Sequence, residues 1–133
     1  MPKTWTTDHF EVRPSSIPQA GRGLFSRVHI EIEDTIGYYT GEILDNEAFN
    51  DSKRTASDYV LYVCNNHIII GEGPRANYTR YINHSHTMPN VFLITSTRWK
   101  TARFEAIQPI APGDELFFNY GKEYWDNEPN VCL

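Results

Sequence analysis

Seven short runs rich in β-branched and aromatic residues follow one another along this chain, and little between them has the period of a helix. HFEVRP (9–14), LFSRVHI (24–30), DTIGYYT (34–40), DYVLYV (58–63), HIII (67–70), NVFLITST (90–97) and TARFEAIQ (101–108) have strand length and strand composition. The gaps carry turn chemistry. Asn65-Asn66 sits between two runs and suits a tight hairpin, because Asn tolerates positive φ. TRWKT (97–101) can join another pair, and APGDE (111–115) puts Pro then Gly where a type II turn wants them. Only LDNEAFNDSK (44–53) and GPRANYTRYI (73–82), with Pro74 near its start, read as short helices. The expectation is a mostly-β fold in a single domain, 1–133, with a polar insertion around 45–57.

Composition sets the limits. A chain of 133 residues, 40% hydrophobic and 14% aromatic with both signs of charge spread along it, can bury a real core. No apolar run approaches the roughly 20 residues of a membrane span, so no membrane partner is expected. The opening MPKTWTTDHF has neither the basic nor the apolar region of a secretory signal. Two cysteines, Cys64 and Cys132, are too few for a disulfide framework or for a four-cysteine zinc site within one chain. A net charge of −5 argues against a grip on phosphates, hence against direct nucleic-acid binding, and suits a basic partner such as a lysine-rich tail.

The chemistry concentrates in four punctuated segments: GRGLF (21–25), YYTGE (38–42), RYINHSHTMPN (80–90) and GDELFFNYG (113–121). The third is the densest. His84 and His86, at i and i+2, share one face of a strand and could share a metal. An Asn-His-Ser run could equally be a polar turn satisfying its own backbone, or part of a small-molecule pocket. Each segment alone is weak evidence. Their order and spacing are specific.

Together they resemble the SET-domain family of protein lysine methyltransferases. In that pattern a Gly-x-Gly turn is followed by a Tyr-x-Gly strand, then by Asn-His-Ser with Pro-Asn soon after, and last by Gly-Asp/Glu-Glu-Leu ending in Tyr-Gly. The resemblance covers about residues 10–125. It implies several small curved sheets around a pseudoknot, in which the C-terminal segment passes through a loop. Threaded chains are otherwise rare, and periodicity alone would not propose one.

The resemblance also implies a cofactor, S-adenosylmethionine, and residues to hold it. Glycines at 21 and 23 let the backbone approach the cofactor's methionine moiety, so Arg22, Gly23 and Leu24 are the contact candidates there. Asn83 and His84 line the cofactor pocket, which makes His84 no metal ligand. Arg80 either reaches the cofactor carboxylate or is a surface arginine at a helix end. Trp125 either stacks on the adenine ring or packs the C-terminus onto the core. His86 stands where many members have a zinc-binding Cys, and beyond Gly121 only Cys132 is available, so no metal is expected. In this the chain resembles the minimal viral type of SET domain, without cysteine-rich flanks.

The implied reaction is in-line attack by a neutral lysine amine on a sulfonium methyl group. Free lysine has a pKa of about 10.4, which a cationic cofactor and an apolar channel both push down. Tyr39, Phe118 and Tyr120 would wall that channel, though strands also use such aromatics as plain core. The resemblance assigns Tyr120 the orientation of the methyl group through C–H···O contacts, and Tyr39 the steering of the amine. Phe118, where a Tyr restricts members to early methylations, favours di- or trimethylation. Asn119 stands where Asp is common, and nothing in the sequence explains it.

A histone H3 tail is the favoured substrate, with a nuclear or chromatin location (the host nucleus for a viral or bacterial source, the cytoplasm otherwise). A homodimer follows from resemblance alone. The rival readings are a catalytically inactive SET-like peptide-binding module and a metal-dependent hydrolase using His84 and His86. No Gly-x-Ser-x-Gly or His-Glu-x-x-His pattern encourages the latter.

Overall fold

Residues 2–52, 59–64, 66–96 and 98–120 are described by the computed structural model, apart from the side chain of Tyr120. In chain order the elements are β1 (Phe10–Pro14), β2 (Arg22–Ser26), β3 (Thr35–Tyr38), β4 (Glu42–Leu44), α1 (Asn46–Asp51), β5 (Val60–Cys64), β6 (His67–Ile70), β7 (Asn83–His84), β8 (Val91–Ser96), β9 (Thr101–Ala106) and β10 (Phe117–Tyr120). They form three sheets: β1-β2, β4-β6-β5 and β3-β9-β8-β10-β7.

The central hairpin shows how the two-residue period builds the core. Along β8 the side chains of Val91, Leu93 and Thr95 are buried, and across the ladder β9 buries Ala102, Phe104 and Ala106. Leu93 lies directly opposite Phe104, so both strands turn the same face inward. Leu24, Ile30, Ile36, Ile110 and Leu116, none exposed, complete this cluster. A second, smaller cluster forms where α1 lays Phe49 against Ile68 and Ile70 of β6. That helix starts at Asp45, whose carboxylate accepts from the Ala48 amide at 2.7 Å.

The sheet order carries the topological lesson. Strand β10 lies between β7 and β8 and runs parallel to both. The connection 85–90 from β7 to β8 must therefore bridge across β10. Hydrogen bonds fasten it there, Ser85 N donating to Phe118 O at 3.0 Å and Asn90 N to Phe117 O at 2.9 Å. The last described strand is thus enclosed beneath an earlier connection, as the resemblance implied.

The turns follow the sequence reading. Gly113 has φ +94, as the second central residue of a type II turn requires, and Asn66 (φ 62) sits at the β5–β6 hairpin. Three readings are corrected. The segment 73–82 holds only a 3₁₀ turn, Tyr78–Tyr81, begun by the Asn77 side chain on the Thr79 amide. The run at 24–30 is a strand only from Arg22 to Ser26. There the Ser26 hydroxyl bonds the Val28 backbone on both sides and closes a turn, leaving Ile30 a lone bridge to Ile110. Strands β4, β7 and β10 lie outside the seven predicted runs.

Candidate active site

The site grows from the start of β2. Gly21 has φ +75, a conformation costly for other residues, and it swings the chain so that Arg22 lines a cleft. From the opposite side β7 brings Asn83, whose side-chain amide donates to the Arg22 carbonyl at 3.0 Å. Asn83, His84, Arg80, Tyr59, Arg22 and Phe118 are among the walls of a cavity of about 490 Å³.

A second, narrower cavity of about 190 Å³ adjoins it, lined by Tyr39, Leu61, Ile82, Leu93 and Phe104 among others. Arg80, Ile82 and Phe118 line both. Phe118 is held edge-on against His84 and Phe104, with ring centroids 5.2 and 5.6 Å away. The wider cleft therefore meets a narrower channel, walled by both apolar and polar side chains, at one phenyl ring.

Two residues of the channel have their chemistry limited by their contacts. Tyr39 donates its hydroxyl to the Tyr59 carbonyl at 2.5 Å. Burial above all, then the neighbouring Tyr59, pushes its phenol well above the ordinary tyrosine value. It stays protonated and serves as a wall. Arg80 donates to the Gly71 carbonyl at 3.2 Å and the Tyr81 hydroxyl at 2.6 Å, which commits two of its five N–H groups. The bond to Tyr81 is the main reason its guanidinium is held charged still more firmly than usual.

The predicted residues divide clearly. Arg22, Asn83, His84, Arg80 and Phe118 meet at the cleft, and Tyr39 joins Phe118 and Arg80 at the channel. Gly23 and Leu24 do not line the cleft. Leu24 is wholly buried in the core, and Gly23 is packed under Glu115. Tyr120 enters through its backbone, paired opposite Leu93, and Trp125 lies outside the described residues. The rings of His84 and His86 meet edge-on, centroids 4.3 Å apart, and among the described residues no third metal-ligating side chain joins them.

Several contributors escaped the sequence reading. Tyr59, Tyr81 and Gln19 also line the cleft. Asn90 pins β10 in place, its Oδ1 accepting from the Phe117 amide at 2.8 Å and its Nδ2 donating to the Glu115 carbonyl at 2.9 Å. Glu115 is 8% exposed, and its carboxylate gathers Ser15 Oγ (2.6 Å), Ser16 N (2.9 Å), Ser16 Oγ (2.7 Å) and Asn83 Nδ2 (3.4 Å). Burial alone would raise its pKa, but these hydrogen bonds outweigh it and hold the carboxyl below its ordinary value. The Pro-Asn and Gly-Asp-Glu motifs were the only signals that could have pointed to Asn90 and Glu115.

Comparison with known proteins assigns the class. The family model described as the SET domain matches residues 21–121, and this chain belongs to that family. It is similar to histone-lysine N-methyltransferase EZH2 of Chaetomium thermophilum, 30% identical over 131 residues that cover 88% of this chain and 8% of that protein. The H3 lysine-36 specific histone-lysine N-methyltransferase of Homo sapiens is 29% identical over 124 residues, covering 86% of this chain and 4% of that protein. The chain thus spans a small part of the relatives it matches. The methyltransferase domain of human PR domain-containing protein 2 shares the fold, with a TM-score of 0.71 at 22% identity over 92% of this chain and 82% of that one. An active polycomb repressive complex 2 in the basal state gives a TM-score of 0.72 at 27% identity, covering 85% of this chain and 15% of that one.

Proposed function

We propose that this chain is an S-adenosylmethionine-dependent protein lysine N-methyltransferase that acts on a basic tail, with histone H3 as the first substrate to test. The observation that carries the reading is the junction of the two cavities. A cleft walled by Arg22, Asn83 and His84 opens at Phe118, Ile82 and Arg80 onto a narrower channel whose walls include the apolar side chains of Leu61, Leu93 and Phe104. This suits a reaction between a polar nucleotide-like cofactor and the end of a long, flexible side chain.

Arg22, Asn83 and His84 fit the cofactor, since they combine carbonyl, amide and ring groups with a glycine turn that leaves space. When bound, S-adenosylmethionine supplies an electrophilic methyl group. The chain's part is to deliver a neutral amine in line. Tyr39, Ile82, Leu93, Phe104 and Phe118 strip water from an entering ammonium, and the Arg80 cation adds like-charge repulsion. Both favour loss of the proton. Among the described residues no carboxylate lines the channel, and Tyr39 is held protonated, so these side chains favour the neutral amine through their environment and not as bases. We assign Tyr120 the alignment of the methyl group, and Phe118 the room for di- or trimethylation. Trp125 against the adenine, a homodimer, and a nuclear or chromatin location belong to the same reading.

The test is incubation with labelled S-adenosylmethionine and core histones, followed by mass spectrometry. Tyr120→Phe should lose most transfer while its melting temperature barely moves, and near wild-type turnover would remove Tyr120 from the mechanism. Stabilisation by S-adenosylmethionine with no transfer to any lysine peptide would make the chain a binding module instead.

A further inference from the structure

We infer that Glu115 is a positioning residue for the cofactor cleft, acting through Asn83 by fixing which end of its side-chain amide faces the bound molecule. The inference rests on the cofactor reading above. Asn83 Nδ2 is directed at two groups, the Arg22 carbonyl at 3.0 Å and Glu115 Oε2 at 3.4 Å. A backbone carbonyl and an ionised carboxylate can only accept. Both N–H donors of Asn83 are therefore drawn to that side, and Oδ1 is left for the cleft that Asn83 lines. The reverse orientation would set an oxygen against two oxygens. The cleft thus presents an acceptor, suited to the protonated amino group at the amino-acid end of the cofactor.

Glu115 itself cannot swing away. Ser15 Oγ and the Ser16 backbone and hydroxyl clasp both of its oxygens, and Gly23 leaves the space it fills. All its donors are neutral, so the carboxylate keeps its full charge for Asn83. Changing Glu115 to Gln keeps the shape but places an N–H group on one arm. The Ser16 amide is an obligatory donor and claims the remaining oxygen, so the new N–H₂ faces Asn83 Nδ2. Asn83 then loses its reason to prefer one orientation.

The experiment measures binding of S-adenosylhomocysteine by calorimetry to wild type, E115Q, N83A and the double variant, with a thermal melt of each. E115Q should bind about 10-fold more weakly, yet in the N83A background the same change should cost less than about 2-fold, because the two residues act as one unit. A purely structural effect would add instead, and additive losses, or E115Q binding like wild type, overturn the inference. In parallel, NMR of the wild type should show both Asn83 side-chain amide protons protected from solvent exchange. Free exchange overturns the inference however the variants fold. Wild type that binds no cofactor overturns the reading of the cleft itself, and this inference with it.

Discussion

The Glu115 carboxylate occupies the space that a side chain on Gly23 would need. A methyl group added at Gly23 would also lie 2.9 Å from Glu115 Cδ and 3.3 Å from Asn83 Nδ2. Because Ser15 and Ser16 hold the carboxylate, it cannot retreat cheaply. Gly23→Ala should therefore cost about 1–3 kcal/mol by overpacking, read as a lower urea midpoint, and should weaken cofactor binding. A variant with wild-type midpoint and affinity would show that the carboxylate moves freely.

Asn90 decides where the threaded strand sits. Its side chain satisfies the Phe117 amide and the Glu115 carbonyl, and removing it leaves both partly buried groups unpaired. Asn90→Ala should destabilise the fold by about 2–3 kcal/mol, checked by equilibrium unfolding in urea. The loss should exceed that of an alanine at exposed Thr87 in the same connection.

Phe118 divides the cleft from the channel, so one added oxygen there changes the reaction's later steps. In Phe118→Tyr a buried hydroxyl seeks a partner and either recruits water or bonds the amine. The first methyl transfer should change little. Later transfers should slow by roughly 10-fold, equivalent to about 1.4 kcal/mol of barrier. Mass spectra of a peptide time course should then accumulate monomethyl product where wild type proceeds further. An unchanged product distribution would show that Phe118 is not the gate.

Stability should fall in two steps on acidification. Burial, then the charge of Lys100, lowers the pKa of His67, whose Nε2 is buried without a hydrogen-bond partner. The unfolded chain takes up a proton near pH 6.5 while the folded one resists, so stability falls as pH drops from about 6.5 toward the lowered folded value. His67→Leu should flatten this first step. Asp34, 3% exposed, behaves oppositely in origin. Burial pushes its carboxyl up, but the Lys3 amide, the Trp5 indole and the Glu31 amide outweigh that and hold it below the ordinary value. Its contribution is present above about pH 4 and is lost as pH falls through the lowered folded value. Asp34→Asn should shrink this second step, to which the Glu115 carboxyl, also held below its ordinary value, contributes as well, and melting temperatures between pH 3 and 8 check both.

What the sequence determined by itself was whatever a residue does to its own backbone and nearest neighbours. The β-branched and aromatic content of the runs at 90–97 and 101–108 declared the strands of the central hairpin, and Gly113 and Asn66 announced their turns, because these preferences are local. The motif order also placed Arg22, Asn83, His84 and Phe118 in one site, and the structure brings them to one cleft. Other features had no local mark. Strand β7 has two residues and β4 three, too few to show a period. LFFNY reads as one more apolar run, and only pairing with both β7 and β8 makes it the strand beneath the 85–90 connection. Glu115 reads as part of a turn. Its role comes from Ser15, 100 residues away in the chain, and from Asn83 and Gly23, which only the folded chain brings against it. A buried carboxylate is stable only where several donors converge, and that convergence is a property of the closed fold.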